Sequence, residues 1–143
     1  MPTTLESRRF GTLEVTEEAV VRFPDGLPGF EELREFLLLS PPELDPVQFL
    51  VSCADPEISF PILAARLCLD GYAPELDRSD MQALGVSEPA ALAIYTILTF
   101  HPESERVTAN LRAPLLINPS ARIGRQVTLP DSTHSLRHAL VGG

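Results

Sequence analysis

The sequence predicts an all-β protein: a small closed or partly open barrel, or a sandwich, of many short strands with one or two short helices. Three observations lead there. Short apolar and β-branched runs recur along the chain, separated by turn signals such as Asp25-Gly26, Asp55-Pro56, Asp70-Gly71 and Asn118-Pro119. Fourteen prolines and eight glycines in 143 residues are many for a helical protein. Only Asp80 to Leu84 carries helix punctuation at both ends: Ser79-Asp80-Met81-Gln82 fits a capping box, and Gly85 follows at a C-cap position.

The elements follow in order. Leu5 to Val15 reads as one bent strand or a tight hairpin at Gly11. Thr16-Glu17-Glu18 is a turn, or a helical turn with Thr16 as N-cap. Ala19 to Phe23 is a strand that Pro24 cuts. A packed loop comes next, built on Phe23, Pro24, Asp25, Gly26, Pro28, Gly29 and Phe30. Asp25-Gly26 supplies a turn, the two prolines fix φ on either side, and Gly29 permits a second bend. Phe23, Leu27 and Phe30 fold it back onto a core. Glu31, Glu32 and Glu35 opposite Phe30, Leu33 and Phe36-Leu37 give the spacing of a short amphipathic helical turn. This loop either is purely structural or also frames a partner surface.

Phe36 to Leu39 is a short buried strand, and Val47 to Cys53 and Ser59 to Ala65 form two arms around Asp55-Pro56. Pro61 points to an edge or a bulge in the second arm. Ala91 to Phe100 is the longest strand, with apolar positions continuous enough to cover both faces. Val107 to Leu111 and Leu115 to Ile117 are strands interrupted at Ala113-Pro114. Arg122 to Leu129 is the last, with Gly124 at a bulge. The chain, residues 1–143, reads as a single domain whose tail from about residue 130 is weakly structured.

Composition excludes several function classes. A hydrophobic fraction of 44% is too high for disorder. The net charge of −9 and the complete absence of Lys argue against direct nucleic-acid binding, which needs a clustered basic face. That acidity suits a basic protein partner. The N-terminus lacks a signal-peptide core, and Pro89 to Phe100 is too short to span a bilayer. The expectation is a cytoplasmic monomer that does not engage membranes. Cys53 and Cys68 sit in apolar settings, as buried free thiols do in a reducing compartment.

Chemical motifs are sparse. The sequence contains no phosphate-binding glycine loop, dinucleotide fingerprint or nucleophile elbow. His134 and His138, four apart with Asp131 nearby, have the spacing of a helical metal pair but lack further ligands. Cys53 with His101 would make a thiol dyad only if something activated the thiolate. No cofactor is expected, and an enzyme is disfavoured. Two stretches have the composition of a contact surface, an apolar centre with polar neighbours. In Asp55 to Phe60, Asp55 and Glu57 would meet basic groups and Phe60 would anchor. In Asn110 to Asn118, the candidates are Asn110, Arg112 and Asn118. The structural alternatives are that Asp55 closes a turn before Pro56, and that the asparagines bond backbone beside Pro114 and Pro119.

Phe10-Gly11, FPDGLPGFEELREFLLL, Ala54-Asp55-Pro56-Glu57-Ile58-Ser59-Phe60, TANLRAPLLINP and Gly124-Arg125-Gln126-Val127 occur in that order. Together they resemble the FliW family of flagellar assembly factors, over roughly Arg8 to Leu140. The chain departs from the family pattern at Cys53-Ala54-Asp55, where an acidic pair is common, and at Ser135 and Ala139, where proline is usual. Pro61 to Leu76 matches loosely. The resemblance implies a cytoplasmic, non-enzymatic regulator that binds flagellin and antagonises the translational repressor CsrA, coupling flagellin export to flagellin translation. A flagellin-specific chaperone without a CsrA role, or a metal- or thiol-dependent enzyme, are the alternatives.

Overall fold

A computed structural model of the protein describes residues 3–129 and 135–140. The chain opens with β1 (Thr3–Ser7) and β2 (Gly11–Val15). A 3-10 turn at Glu17–Ala19 leads to β3 (Val20–Arg22), then β4 (Glu35–Leu39). A second 3-10 turn, Pro42–Leu44, precedes β5 (Gln48–Ser52), β6 (Ser59–Ala64) and α1 (Ala65–Cys68). Helix α2 (Arg78–Leu84) and a turn at Pro89–Ala91 lead to β7 (Ala93–His101). β8 (Arg106–Ala109), β9 (Leu115–Asn118), β10 (Ile123–Gln126) and β11 (His138–Ala139) complete it. Among the described residues no helix is long and apolar enough to cross a membrane.

The all-β expectation holds, and the structure is the closed form of it. β3 to β7 make an antiparallel meander. The β9–β10 hairpin closes the ring of seven strands. β9 pairs with the first half of β7, from Ala93↔Ile117 to Tyr95↔Leu115. β10 meets β3 in parallel at a single pair, Ile123↔Arg22. The second half of β7 pairs with β8 instead, and β8 with β11, so a ribbon extends from the ring. β1 and β2 form their own two-stranded sheet.

Period-two alternation distributes the core. Phe36, Leu50, Ile62, Leu115 and Ile117 pack with Phe23, Leu27 and Leu33 in one cluster, the barrel interior. Their strand neighbours belong to three further clusters on the outer wall. Leu37, Phe49 and Val51 pack with Leu13 and, from the same hairpin, Leu5 and Phe10. Leu116, Val127 and Leu129 pack with Leu84 of α2. Leu63, Leu98 and Ala109 pack with Cys68 of α1 and with Leu140.

Several local expectations are corrected. The N-terminal segment is a hairpin whose turn lies before Gly11, which pairs with Ser7. Thr16 makes no side-chain cap bond to its 3-10 turn. No helical turn forms after Phe30; a turn runs straight into β4, because Leu33 and Phe36 are both drawn into the interior. Pro61 lies in an inner strand, not at an edge. Ser52 N–H donates to Ile58 O, a phase that puts Pro61 at a non-hydrogen-bonded position towards β5, and the ladder to β7 starts only at Ile62. Helix α2 begins at Arg78 after Asp77, so Ser79 is inside it and donates to Asp77 Oδ2 at 3.1 Å rather than capping. Gly85 does end it, with φ +74°. α1 was not foreseen. β7 is not covered on both faces: Thr99 and Phe100 are exposed where it leaves the barrel. Gly124 sits in regular register opposite Ile117 rather than in a bulge. Its reason is close approach, since a Cβ there would lie 2.6 Å from the Phe23 ring.

Candidate partner-binding surface

The 23–30 loop is built by its own backbone. Gly26 N–H donates to Phe23 O at 2.8 Å and Phe30 N–H to Leu27 O at 2.7 Å. Gly26 (φ +67°) and Gly29 (φ +85°) both hold left-handed conformations that favour glycine. The Glu31 carboxylate accepts Gly29 N–H at 2.9 Å. Phe23 and Leu27 are buried, as the composition predicts. Asp25 faces Arg125 at 3.8 Å, and Arg125 reaches Asp80 of α2 at 3.2 Å, so one guanidinium ties the loop to the helix.

Phe30 is half-buried and meets Phe60 edge-on at 5.3 Å; Phe60 in turn meets Phe36 at 6.0 Å. The 23–30 loop and the candidate stretch 55–60 are therefore neighbours in space. Phe60 is turned against the core from a half-buried position. Asp55 and Glu57 are exposed. Asp55 closes the β5–β6 turn: its Oδ1 accepts Glu57 N–H at 3.2 Å and its carbonyl accepts Ile58 N–H at 2.9 Å. Ser52 Oγ accepts Asp55 N–H from below at 3.1 Å. Glu57 Oε2 accepts the backbone N–H of Arg8 at 3.1 Å, across the gap to the β1–β2 turn. Next to it, the Arg9 guanidinium lies 4.9 Å from the Phe49 ring centroid. Sequence reasoning missed Arg8 and Arg9, because nothing local indicates what a hairpin turn will touch across the fold.

The third stretch is structural in its polar groups. Asn110 Oδ1 accepts N–H from Arg112 and Ala113, both at 3.1 Å, which shapes the turn before Pro114. Asn118 is buried; its Nδ2 donates to Leu84 O at 2.7 Å and its Oδ1 accepts Ser120 N–H at 3.1 Å. It thereby joins the C-terminal end of α2 to the β9–β10 turn. Arg112 is half-buried, and its carbonyl accepts Leu129 N–H at 2.7 Å. The structure thus brings Phe60 to the 23–30 loop, keeps Asp55 and Glu57 in the β5–β6 turn that meets Arg8, and sets Asn110 and Asn118 to holding backbone.

Among the described residues, neither thiol is hydrogen-bonded to a histidine ring. Cys53 and Cys68 are free and half-buried rather than fully buried. Desolvation pushes both thiols up, with the Glu35 charge adding at Cys53 and the Thr96 hydroxyl opposing at Cys68. A raised thiol is the reverse of an activated nucleophile. His101 Nε2 instead contacts Thr108 Oγ1 at 2.9 Å. His138 Nε2 contacts Cys68 O at 3.1 Å, while Asp131 and His134 lie outside the described residues. Among the described residues, no group of three His, Cys, Asp or Glu is arranged to hold a metal. A concavity of about 860 Å³ at the β3–β10 seam, between Arg22, Glu35 and Arg122, is open to solvent.

Comparison with known proteins places this geometry. The FliW protein family model matches residues 4–140. The flagellar assembly factor FliW of Moorella thermoacetica is 37% identical over 134 residues, spanning 92% of this chain and 84% of that protein. That of Thermotoga sp. strain RQ2 is 35% identical over 133 residues, spanning 92% and 89%. A crystal structure of the flagellar assembly factor FliW superposes with a TM-score of 0.89 at 31% identity, covering 99% of each chain. With its motifs in order and its barrel shared from end to end, the chain belongs to the FliW family.

Proposed function

We propose that this protein is a non-enzymatic cytoplasmic regulator that binds flagellin and antagonises CsrA, so that flagellin export is coupled to flagellin translation. Membership of a family of flagellar assembly factors is the observation that carries the reading. The net charge of −9 supports a basic partner. The surface we assign to it is the β5–β6 loop, where Asp55 and Glu57 stand exposed just before the strand that carries Phe60. Arg112, half-buried on the 110–118 stretch, would fork onto a partner carboxylate or carbonyl. Asn110 and Asn118 contribute by fixing that stretch.

Calorimetric titration of purified CsrA into the Asp55→Lys and Glu57→Lys variants tests the assignment, with melting curves alongside. Both variants are expected to bind more weakly than the parent, and to associate more slowly with the difference largest at low salt, as steering charges do. Folded variants that bind as tightly as the parent would remove this surface. Asp55→Lys is also expected to lower the melting point more than Glu57→Lys, because only Asp55 closes its own turn.

A further inference from the structure

Arg122 occupies a backbone position that suits an arginine badly. It closes the β9–β10 turn, its N–H donating to Asn118 O at 2.8 Å, and its φ of +57° lies in the left-handed region that favours glycine. The turn is held by Asn118, whose Oδ1 accepts the N–H groups of Ser120 and Ala121 at 3.1 and 3.3 Å, and uses nothing of the Arg122 side chain. Arg125, three residues on, reaches two carboxylates. Among the described residues the half-buried Arg122 has no side-chain ion pair or hydrogen bond, although acidic groups outnumber basic ones by 20 to 11. A strained residue whose side chain does nothing for the fold points to a use beyond the fold. Arg122 lines the concavity of about 860 Å³ at the β3–β10 seam. The ladder there stops at Arg22↔Ile123 because Pro24, next in phase on β3, has no N–H to extend it. Arg22 N–H donates to Arg122 O at 2.9 Å, so the two arginines sit side by side across the seam. Val15, Val20, Pro24 and Ile123 supply apolar walls. Glu35 meets Arg22 through Nε at 3.6 Å, and exposed Glu17 lines the same hollow.

We propose that this concavity binds a small amphipathic monocarboxylate, with Arg122 forked onto the carboxylate and Val15, Val20 and Ile123 against the apolar body. The volume falls within the about 300–1,000 Å³ of small-molecule sites, which are mostly apolar with a few polar groups that fix orientation. A guanidinium matches a carboxylate with two parallel hydrogen bonds. The ligand carries one negative charge rather than two, because Glu17 and Glu35 share the walls and repel a phosphate dianion. The site is distinct from the β5–β6 loop and does not depend on the reading of flagellin and CsrA as partners.

The test is calorimetric titration of the full chain with octanoate, and with octyl phosphate and octylamine as probes of the same apolar length. Saturable binding of octanoate is expected, with weaker binding of octyl phosphate and none of octylamine. Arg122→Gly and Arg122→Asn are each expected to weaken octanoate binding about tenfold or more, the loss of a charge-assisted contact. Both residues tolerate the left-handed region, so the melting midpoint of each variant is expected to stay level or rise. A merely structural arginine would give the opposite result. Absence of saturable octanoate binding, equal binding of octylamine, tighter binding of octyl phosphate, or unchanged binding by both variants overturns the proposal. So does a midpoint lowered in both variants, which would return Arg122 to the fold.

Discussion

Gly124 and Phe23 are distant in sequence, yet they set each other's identity: the ring lies where the Cβ of any other residue would be. Gly124→Ala is expected to cost about 1–3 kcal/mol as overpacking, read as a lower denaturation midpoint at unchanged slope. The loop glycines divide by the same logic. Gly29 has open space around its missing Cβ, so Gly29→Val costs only its backbone strain, about 1–3 kcal/mol. Gly26→Val is expected to cost more, because its Cβ would meet the Glu31 backbone at 2.5 Å as well. Asn118→Ala leaves Leu84 O and Ser120 N–H without their side-chain partner and should cost about 2–3 kcal/mol in the same melts. Titration adds a pH signature. Burial raises both thiols above 9.0 and pushes the Tyr72 phenol from 10.0 to about 12. The unfolded chain therefore ionises first, and stability present below pH 9 falls as pH climbs towards 12. Unfolding measured at neutral and alkaline pH should show that loss, and Tyr72→Phe should shrink it.

At the scale of elements, the N-terminal hairpin is a cover rather than a stave. Among the described residues no ladder joins it to the barrel; it is held by the Leu13–Phe49 contact cluster, by Arg9 on Phe49 and by the Arg8–Glu57 bond. Cys53 lies under it. In a Cys68→Ser background, Glu57→Ala is expected to speed alkylation of Cys53 severalfold by loosening one corner, and an unchanged rate would show that the apolar cluster alone holds the hairpin. The strands themselves were largely legible, because turn dipeptides and β-branched runs are local signals: β3 to β7 fall where Gly, Pro and Asp punctuate the apolar runs. α1 was not legible, since its four residues carry no cap and form only because Thr96 and Leu63 lie beneath. The capping box misplaced α2 by two residues at its start, because the helix begins at Arg78 after Asp77 with no side-chain cap bond, and Ser79 lies inside it. At the candidate site the exposure of Asp55 and Glu57 was legible from charge. The bond of Glu57 to Arg8 was not, being a contact across 49 residues.

For the whole molecule, charge is the property that acts at a distance. With net charge −9, the protein alone should give no gel shift of flagellin leader RNA at micromolar concentration and physiological salt, and a shift would overturn the reading of its acidity. Closure of the barrel has a consequence for the order in which the chain becomes a protein. The meander from β3 to β7 needs only near neighbours, but both of its margins are joined by β9 and β10 alone. Leu115 and Ile117, two fully enclosed members of the interior, arrive with them. A nascent chain ending at Asn110 therefore holds an open, curled sheet with two unpaired margins, and should bind hydrophobic dyes and show little amide protection. Synthesis of the last quarter of the chain works as a delayed latch: until residues 115–126 leave the ribosome, there is no sealed interior and no settled wall for a partner to meet.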